Sequence, residues 1–261
     1  MSAREVRLRA RGFAPRRLPG AGAVTAVFVF AAWEAVCRAG LVSPFALPAP
    51  SRVLAVLAEM ALSGELLAHL RASLGRLAGG WAIGMLCGVL AGLAIGVSSL
   101  ARSVGLPLVS ALFPVPKIAL LPLLILWLGI GEAPKLATIA LGTFFPVALS
   151  TASGVDQIPR SLIRMAQSFD LPNRAIVLKV ILPGALPGIF AGARISSSIA
   201  LVLLTAAEMI GAEYGIGALV LQAGHLMRAD RLLAGVVLLS VLGVAIGAGL
   251  GALERRLLAW R

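Results

Sequence analysis

The sequence G-W-A-I-G-M-L-C-G-V-L-A-G-L-A-I-G-V at residues 80–97 carries no charged side chain. With its apolar flanks, it is long enough to cross a hydrocarbon core of ~30 Å as an α-helix. Glycine recurs every four residues along it, at Gly80, Gly84, Gly88, Gly92 and Gly96. This spacing places the glycines on one helix face, where the backbone of another helix can approach closely. The stretch therefore predicts a membrane-spanning helix in a tightly packed bundle.

The composition extends this interpretation to the whole chain. Of 261 residues, 59% are hydrophobic and only 13% are charged, and the mean hydropathy is +0.99. A soluble domain carries about 25% charged residues. The apolar runs also lack the alternation of apolar and polar residues that a membrane β-barrel requires. We therefore predict an all-α membrane protein.

Hydropathy predicts about six transmembrane helices. They lie near residues 19–38, 77–99, 103–127, 135–153, 183–207 and 232–253. Between the first two spans, two short amphipathic helices are expected to lie at the outer surface of the membrane. The chain then divides into a basic N-terminus at 1–18, a first transmembrane helix at 19–38, an outer amphipathic segment at 39–76, a core domain at 77–253 and a C-terminus at 254–261.

Charge sets the predicted orientation. The net charge is +12, and cytoplasmic loops of membrane proteins are enriched in Lys and Arg. If the N-terminus is cytoplasmic, about twice as many basic residues lie inside as outside. The sequence thus predicts N-in and C-in, with the polar loop Gly154–Lys179 in the cytoplasm. No motif accompanies the charge to suggest a nucleic-acid partner, and we expect none.

The sequence holds no recognisable catalytic chemistry. It lacks a phosphate-binding Walker loop, a Gly-x-Ser-x-Gly motif, a His-Glu-x-x-His motif and paired cysteines. We therefore expect no catalytic residue, no cofactor and no metal site, and we interpret His69 as a solvated side chain at the outer surface. Charged residues inside a membrane are often functional, but they can also extend to the interface. Both interpretations stay open for Arg194 and Glu208.

The polar loop has the pattern of two helices joined by a turn. A short amphipathic helix is expected from Ile158 to Phe169, followed by a turn in which Asp170 tolerates a left-handed conformation. Asn173 is expected to cap a second helix. Pro183 and Pro187 are expected to mark the return of the chain into the bilayer.

This loop resembles the coupling loop of the integral membrane subunits of binding-protein-dependent ABC importers. Their pattern is E-A-A, three residues, G, nine residues, then I-x-L-P. The corresponding positions here are Arg164, Met165, Ala166, Asp170, Val180, Leu182 and Pro183. Ala166, Leu182 and Pro183 agree with the pattern and Val180 is conservative, whereas the other three positions depart from it.

Flanking segments resemble the nitrate, sulfonate, taurine and bicarbonate branch of the same family. They read P-K-I-A-L-L-P-L-L-I-L-W-L-G-I-G-E at 116–132, L-P-G-A-L-P-G-I-F-A-G-A-R at 182–194 and A-E-M-I-G-A-E-Y-G-I-G at 207–217. The resemblance implies a type I importer permease bundle in a bacterial inner membrane, with residues 77–253 as the permease domain and 154–182 as its coupling loop.

The resemblance also implies partners. These are a cytoplasmic ABC ATPase subunit, an extracytoplasmic solute-binding protein and a second permease copy, in contact with membrane lipid. The alternative is a free-standing secondary transporter, which would bind its solute and a coupling ion on broken helices and would show internal repeats.

Overall fold

The structure, a computed structural model, describes residues 20–259, and all its regular elements there are helices. The α-helices in chain order are α1 (Ala21–Arg38), α2 (Pro50–Leu62), α3 (Glu65–Val97), α4 (Ser99–Leu112), α5 (Leu121–Leu128), α6 (Ala133–Asp156), α7 (Arg160–Ser168), α8 (Asn173–Ile176), α9 (Leu182–Gly211), α10 (Ile216–His225) and α11 (Ala229–Leu257). A 3₁₀ helix at Lys117–Leu120 precedes α5, and a π-helix at Val177–Ile181 precedes α9. The predicted basic N-terminus at 1–18 lies outside the described residues. The all-α class is confirmed.

Four helical segments among the described residues are long and apolar enough to cross a membrane. They are α3, α6, α11 and the continuous helix Asn173–Gly211, and the bent pair formed by α4 and the segment Lys117–Leu128 raises the number to five. The predicted number of about six also included residues 19–38, where α1 lies. Its apolar side chains are largely exposed, for example Phe28 at 72%.

The predicted third span, 103–127, is broken. α4 and the segment Lys117–Leu128 meet at a bend of 89°. Pro114 and Pro116 lie at the bend; proline lacks a backbone N–H and disfavours helix in the residue before it. The prediction missed this break because mean hydropathy is high on both sides of it.

Lys117, the charged residue in that predicted span, donates hydrogen bonds to backbone carbonyl groups at the C-terminal end of α4. Its amino group donates to the carbonyl oxygen of Leu112 at 2.9 Å and also to that of Phe113. The last carbonyls of a helix have no partner within the helix. Lys117 also lies 4.3 Å from the ring centroid of Phe145, so its charge is partly compensated inside the bundle.

The boundary predicted at residue 76 falls within one continuous helix. Only the first of the two predicted surface helices is separate, as α2, while the second is the beginning of α3, a helix of 33 residues. On this first part of α3 the polar face is the buried one. Leu67 and Leu74 are 58% and 40% exposed, whereas His69 and Arg76 are 5% and 7% exposed. In a lipid environment an apolar face can point outward, so the polar face packs inside.

The centre of the bundle is the contact between α3 and α6. A ridge of β-branched side chains on α6 fits into the glycine stripe of α3, with the same four-residue spacing. Its members are Ile139, Thr143, Val147, Thr151 and Val155. The hydroxyl groups of Thr143 and Thr151 are buried and form no hydrogen bond. Threonine therefore contributes here through its branched shape.

A second run of glycines, Gly243, Gly247 and Gly251 on α11, is not packed in this way. A Cβ added at Gly247 would meet no atom within 4 Å. The run lines an open cleft of about 610 Å³ between α9 and α11, which Arg194 and Arg255 also line. Equal spacing of glycines thus accompanies a closed helix contact on α3 and an open cleft on α11.

Candidate functional site

The polar loop forms two short helices joined by a tight corner, as predicted. α7 ends at Ser168, and Asp170 adopts a left-handed conformation with φ of 51°. Asparagine and aspartate tolerate this region better than other residues with a Cβ. The expected corner at Asp170 is confirmed. Asn173 does not act as a cap, because it is the first residue of α8. The N-cap position is occupied by Pro172, and no side chain caps this helix start.

The return of the chain into the bundle is a π-helical turn at Val177–Ile181, directly before α9. Pro183 lies in the first turn of α9. Proline cannot donate the hydrogen bond to the preceding turn, and its ring crowds the carbonyl four residues earlier. A wider π-turn relieves that crowding. The chain continues through Pro187 inside α9 without ending the helix.

The loop has a small apolar core of its own. Ala166 is 4% exposed and packs in a cluster of buried residues formed by Val155, Ile158, Ala166, Ile176, Ile181 and Ala185. This cluster joins α7, α8, the π-turn, the end of α6 and the beginning of α9. Ala166, which agrees with the coupling-loop pattern, therefore faces inward and holds the loop in shape.

Beside Ala166, α7 carries an exposed apolar surface that we call the loop face. It consists of Leu162, Met165 and Phe169, which are 43%, 54% and 74% exposed. Their spacing places them on one side of the helix. Arg160, Arg164 and Arg174 are exposed nearby in the sequence. In the sequence, Met165 departs from the coupling-loop pattern, but its spacing of three and four residues from Leu162 and Phe169 also predicts this face.

Ion pairs join helices at both ends of the bundle. At the end that carries the polar loop, Arg102 pairs with Asp156, and Arg194 pairs with Glu254. The side chain of Arg194 is 54% exposed. It therefore lies at the surface, where it pairs with Glu254 of α11. We call the other end the outer end, following the charge-based prediction. There Arg231 of α11 pairs with Glu65 of α3 at 2.9 Å.

A buried charged cluster at the outer end is the second candidate site. We call it the outer clasp, and it consists of His69, Ser73, Arg76, Glu132 and Glu208. The carboxylate of Glu208 is 0% exposed and accepts hydrogen bonds from Ser73 Oγ at 2.8 Å, Arg76 Nη1 at 2.8 Å and the backbone N–H of Gly217 at 2.9 Å. Of the two interpretations of Glu208, extension to the interface is wrong.

Arg76 connects two carboxylates of different exposure. Its Nη1 contacts the buried Glu208, while its Nε and Nη2 donate to the two carboxylate oxygens of Glu132 at 2.5 and 2.8 Å. The side chain of Glu132 is 56% exposed. Hydrogen bonding from Arg76 lowers the pKa of the Glu132 carboxyl. Glu132 is therefore ionised at neutral pH.

The clasp also holds the outer loop Ala212–Gly215. Arg76 Nη1 donates to the carbonyl oxygen of Tyr214 at 2.5 Å, and the backbone N–H of Ile216 donates to Ser73 Oγ at 2.8 Å. His69 Nδ1 lies 2.8 Å from the carbonyl oxygen of Gly215. The prediction that His69 is a solvated side chain is wrong, because the residue is buried against this loop.

The chain is similar to known membrane transport proteins. The profile of the family described as "Binding-protein-dependent transport system inner membrane component" matches residues 84–259. The chain is 37% identical over 241 residues to the taurine transport system permease protein TauC of Escherichia coli (strain K12), covering 90% of this chain and 88% of that protein. It is 35% identical over 240 residues to the putative aliphatic sulfonates transport permease protein SsuC of Bacillus subtilis (strain 168), covering 92% and 87% respectively.

A solved structure has a similar fold. It is a chain of the MetNI methionine ABC transporter in an inward-facing conformation. The TM-score is 0.64 at 24% sequence identity, and the match covers 74% of this chain and 95% of that one. At this identity the likeness concerns the fold alone.

Proposed function

We infer that this chain, which belongs to the family of binding-protein-dependent transport system inner membrane components, imports taurine or another small organosulfonate. As a member of this family it is a multi-pass permease subunit of an ABC importer in a bacterial inner membrane, which confirms the resemblance found in the sequence. The observation that carries the solute class is the likeness to permeases named for taurine and aliphatic sulfonates, over at least 90% of the chain.

Membership of the family implies an ATPase and a solute-binding protein as partners. We further propose that the ATPase is a separate subunit and that two copies of the chain form the solute pathway. The open glycine run on α11 supports the second point, because such small-residue faces favour close helix contact and no residue of the described range 20–259 covers Gly247. Lipid would contact the remaining exposed apolar side chains.

The polar loop is proposed as the coupling element. Its inward residues, Ala166 above all, keep it rigid through the apolar core. Its loop face is apolar and exposed at Met165 and Phe169, which suits insertion into a groove of a partner as an amphipathic helix does. The pattern positions Val180, Leu182 and Pro183 then set the angle at which the loop leaves α9.

The orientation is predicted to be N-in and C-in, and single cysteines test it. In a background without Cys37 and Cys87, we expect Arg174→Cys and Arg256→Cys to be labelled only after the membrane is permeabilised. Cysteines at Arg71 and Glu213, which are exposed at the outer end, are expected to react in intact cells. Labelling of position 174 from outside would reverse the assignment of both candidate sites.

Transport in liposomes tests the function. We expect uptake of radiolabelled taurine or a short alkanesulfonate only when the chain is reconstituted with its ATPase, the cognate binding protein and ATP. A free-standing secondary transporter would instead take up solute with an ion gradient and no ATPase. Uptake of nitrate or bicarbonate but of no sulfonate would leave the importer assignment in place and contradict the solute class.

A further inference from the structure

The outer clasp joins two exposed stretches of chain at the outer end to the helices beneath them. One stretch contains Glu132, which precedes α6, and the other is the outer loop Ala212–Gly215. Arg76 contacts both, through the Glu132 carboxylate at 2.5 Å and the Tyr214 carbonyl oxygen at 2.5 Å. These contacts connect segments separated by more than 50 residues in sequence.

The clasp extends from this surface into the membrane helices. Glu208 lies in the last turn of α9, and α9 begins at Leu182, where the polar loop ends. One continuous helix thus connects the outer clasp with the proposed coupling loop. Ser73 and Arg76 fix the same carboxylate to α3, and α3 packs along the length of α6 through the glycine stripe.

Arg76 forms two ion pairs, which we call the Glu208 arm and the Glu132 arm. They differ in burial. The Glu208 arm is completely buried and its carboxylate has three kinds of donor, so loss of a partner there would leave a buried charge uncompensated. The Glu132 arm is bidentate but half exposed. Exposed ion pairs contribute little to folding stability. The Glu132 arm is therefore the part of the clasp that an outer partner can reach.

We propose that Arg76 is a positioning residue that transmits docking of the solute-binding protein from the outer surface to α3 and α9. This inference depends on the proposed importer function. Docking would act on Glu132 and on the outer loop, and Arg76 would convert movement of either into movement of the helix ends. The bidentate Glu132 arm supplies the fixed geometry that such transmission requires.

The test separates transmission from docking and from folding. In proteoliposomes that contain the ATPase, ATP turnover is measured against the concentration of solute-loaded binding protein for the parental chain, Glu132→Gln and Arg76→Lys. Lysine keeps the charge beside Glu208 but lacks the planar fork that binds both oxygens of Glu132. Thermal unfolding and basal ATP turnover are measured on the same samples.

We expect the maximal stimulation at saturating binding protein to fall by about fivefold or more in both variants, as typical coupling free energies between sites predict. For Glu132→Gln, basal turnover and thermal stability are expected to stay within about twofold and a few degrees, because the Glu132 side chain is half exposed and glutamine keeps an accepting oxygen. Arg76→Lys also changes the contacts of the buried guanidinium with Glu208 and with the Tyr214 carbonyl oxygen, so it is expected to unfold at a lower temperature. Glu213→Gln is the matched control. It removes a carboxylate from the outer loop that forms no hydrogen bond or ion pair with the clasp, and it is expected to keep the parental maximum.

Three other outcomes overturn the proposal. Parental maximal stimulation in both variants would mean that the Glu132 arm transmits nothing. A defect that disappears at saturating binding protein would make Glu132 a docking contact. Equal losses of basal turnover, stimulation and stability would make the clasp only structural. The parental sample reports separately on the importer function, since a complete absence of stimulation there would contradict that function itself.

Discussion

Gly88→Leu is expected to prevent the subunit from folding into a stable bundle. A Cβ at this position would lie 2.8 Å from both the carbonyl oxygen of Phe144 and the Cβ of Val147. A backbone carbonyl in a helix cannot rotate away, so α3 and α6 would have to separate. Overpacking a core costs ~1–3 kcal/mol even for added methylenes, and here the leucine side chain has no space at all. The measurement is the yield of monodisperse protein in detergent and its thermal unfolding temperature.

Gly75→Leu is the matched control on the same helix. A Cβ there would meet nothing within 4 Å, and leucine favours the helix over glycine by ~0.8 kcal/mol. We expect normal yield and an unchanged or slightly higher unfolding temperature. If Gly88→Leu also behaves in this way, the α3–α6 contact described here is not the centre of the bundle.

The glycine stripe was predictable because its regular spacing places the glycines on one helix face. The absence of side chains there favours close approach of another helix. The partner was less evident, although the matching ridge on α6 repeats every four residues from Ile139 to Val155. Nothing within α11 distinguishes its open glycine run from the closed one on α3. The difference depends on which helix lies opposite, and that is a property of the topology.

The outer clasp could not be predicted from local pattern. His69, Ser73 and Arg76 recur on one face of α3, but a polar stripe beside leucines is equally typical of a helix on the membrane surface. Hydropathy cannot tell whether the apolar face points to lipid or to protein. Glu208 was recognised as unusual because it is charged and within an apolar run. Its partners lie about 130 residues earlier in the chain, beyond the reach of any periodicity.

The polar loop contains, within a few residues, one feature that could be predicted from the sequence and one that could not. The corner at Asp170 followed from turn chemistry, which is local. The direction of Ala166 did not, because it depends on the apolar core formed with α6 and α9. The pattern residue therefore supports the loop, and the proposed contact surface is formed by its exposed apolar neighbours Leu162, Met165 and Phe169.

Met165→Glu combined with Phe169→Glu is expected to uncouple the permease from its ATPase while leaving it folded. Both side chains are more than half exposed, at 54% and 74%, so charge there disturbs no packing within the chain. At a partner surface, each large apolar anchor contributes ~2 kcal/mol or more when it is central. Loss of two such anchors, ~4 kcal/mol together if they add, would weaken the complex by about a thousandfold. The measurements are co-purification of the ATPase and solute-dependent ATP turnover in liposomes.

Gln167→Glu is the matched control for this pair of substitutions. It adds negative charge to the same short helix at an exposed position that lies away from the loop face, and we expect it to retain the ATPase. Ala166→Glu provides a contrast, because it buries a charge in the apolar core of the loop. It is expected to lose the ATPase as well, but with a lower unfolding temperature. If the double variant retains the ATPase and parental turnover, the loop face is not the docking surface. The inward residues of the loop would then have no coupling role to support.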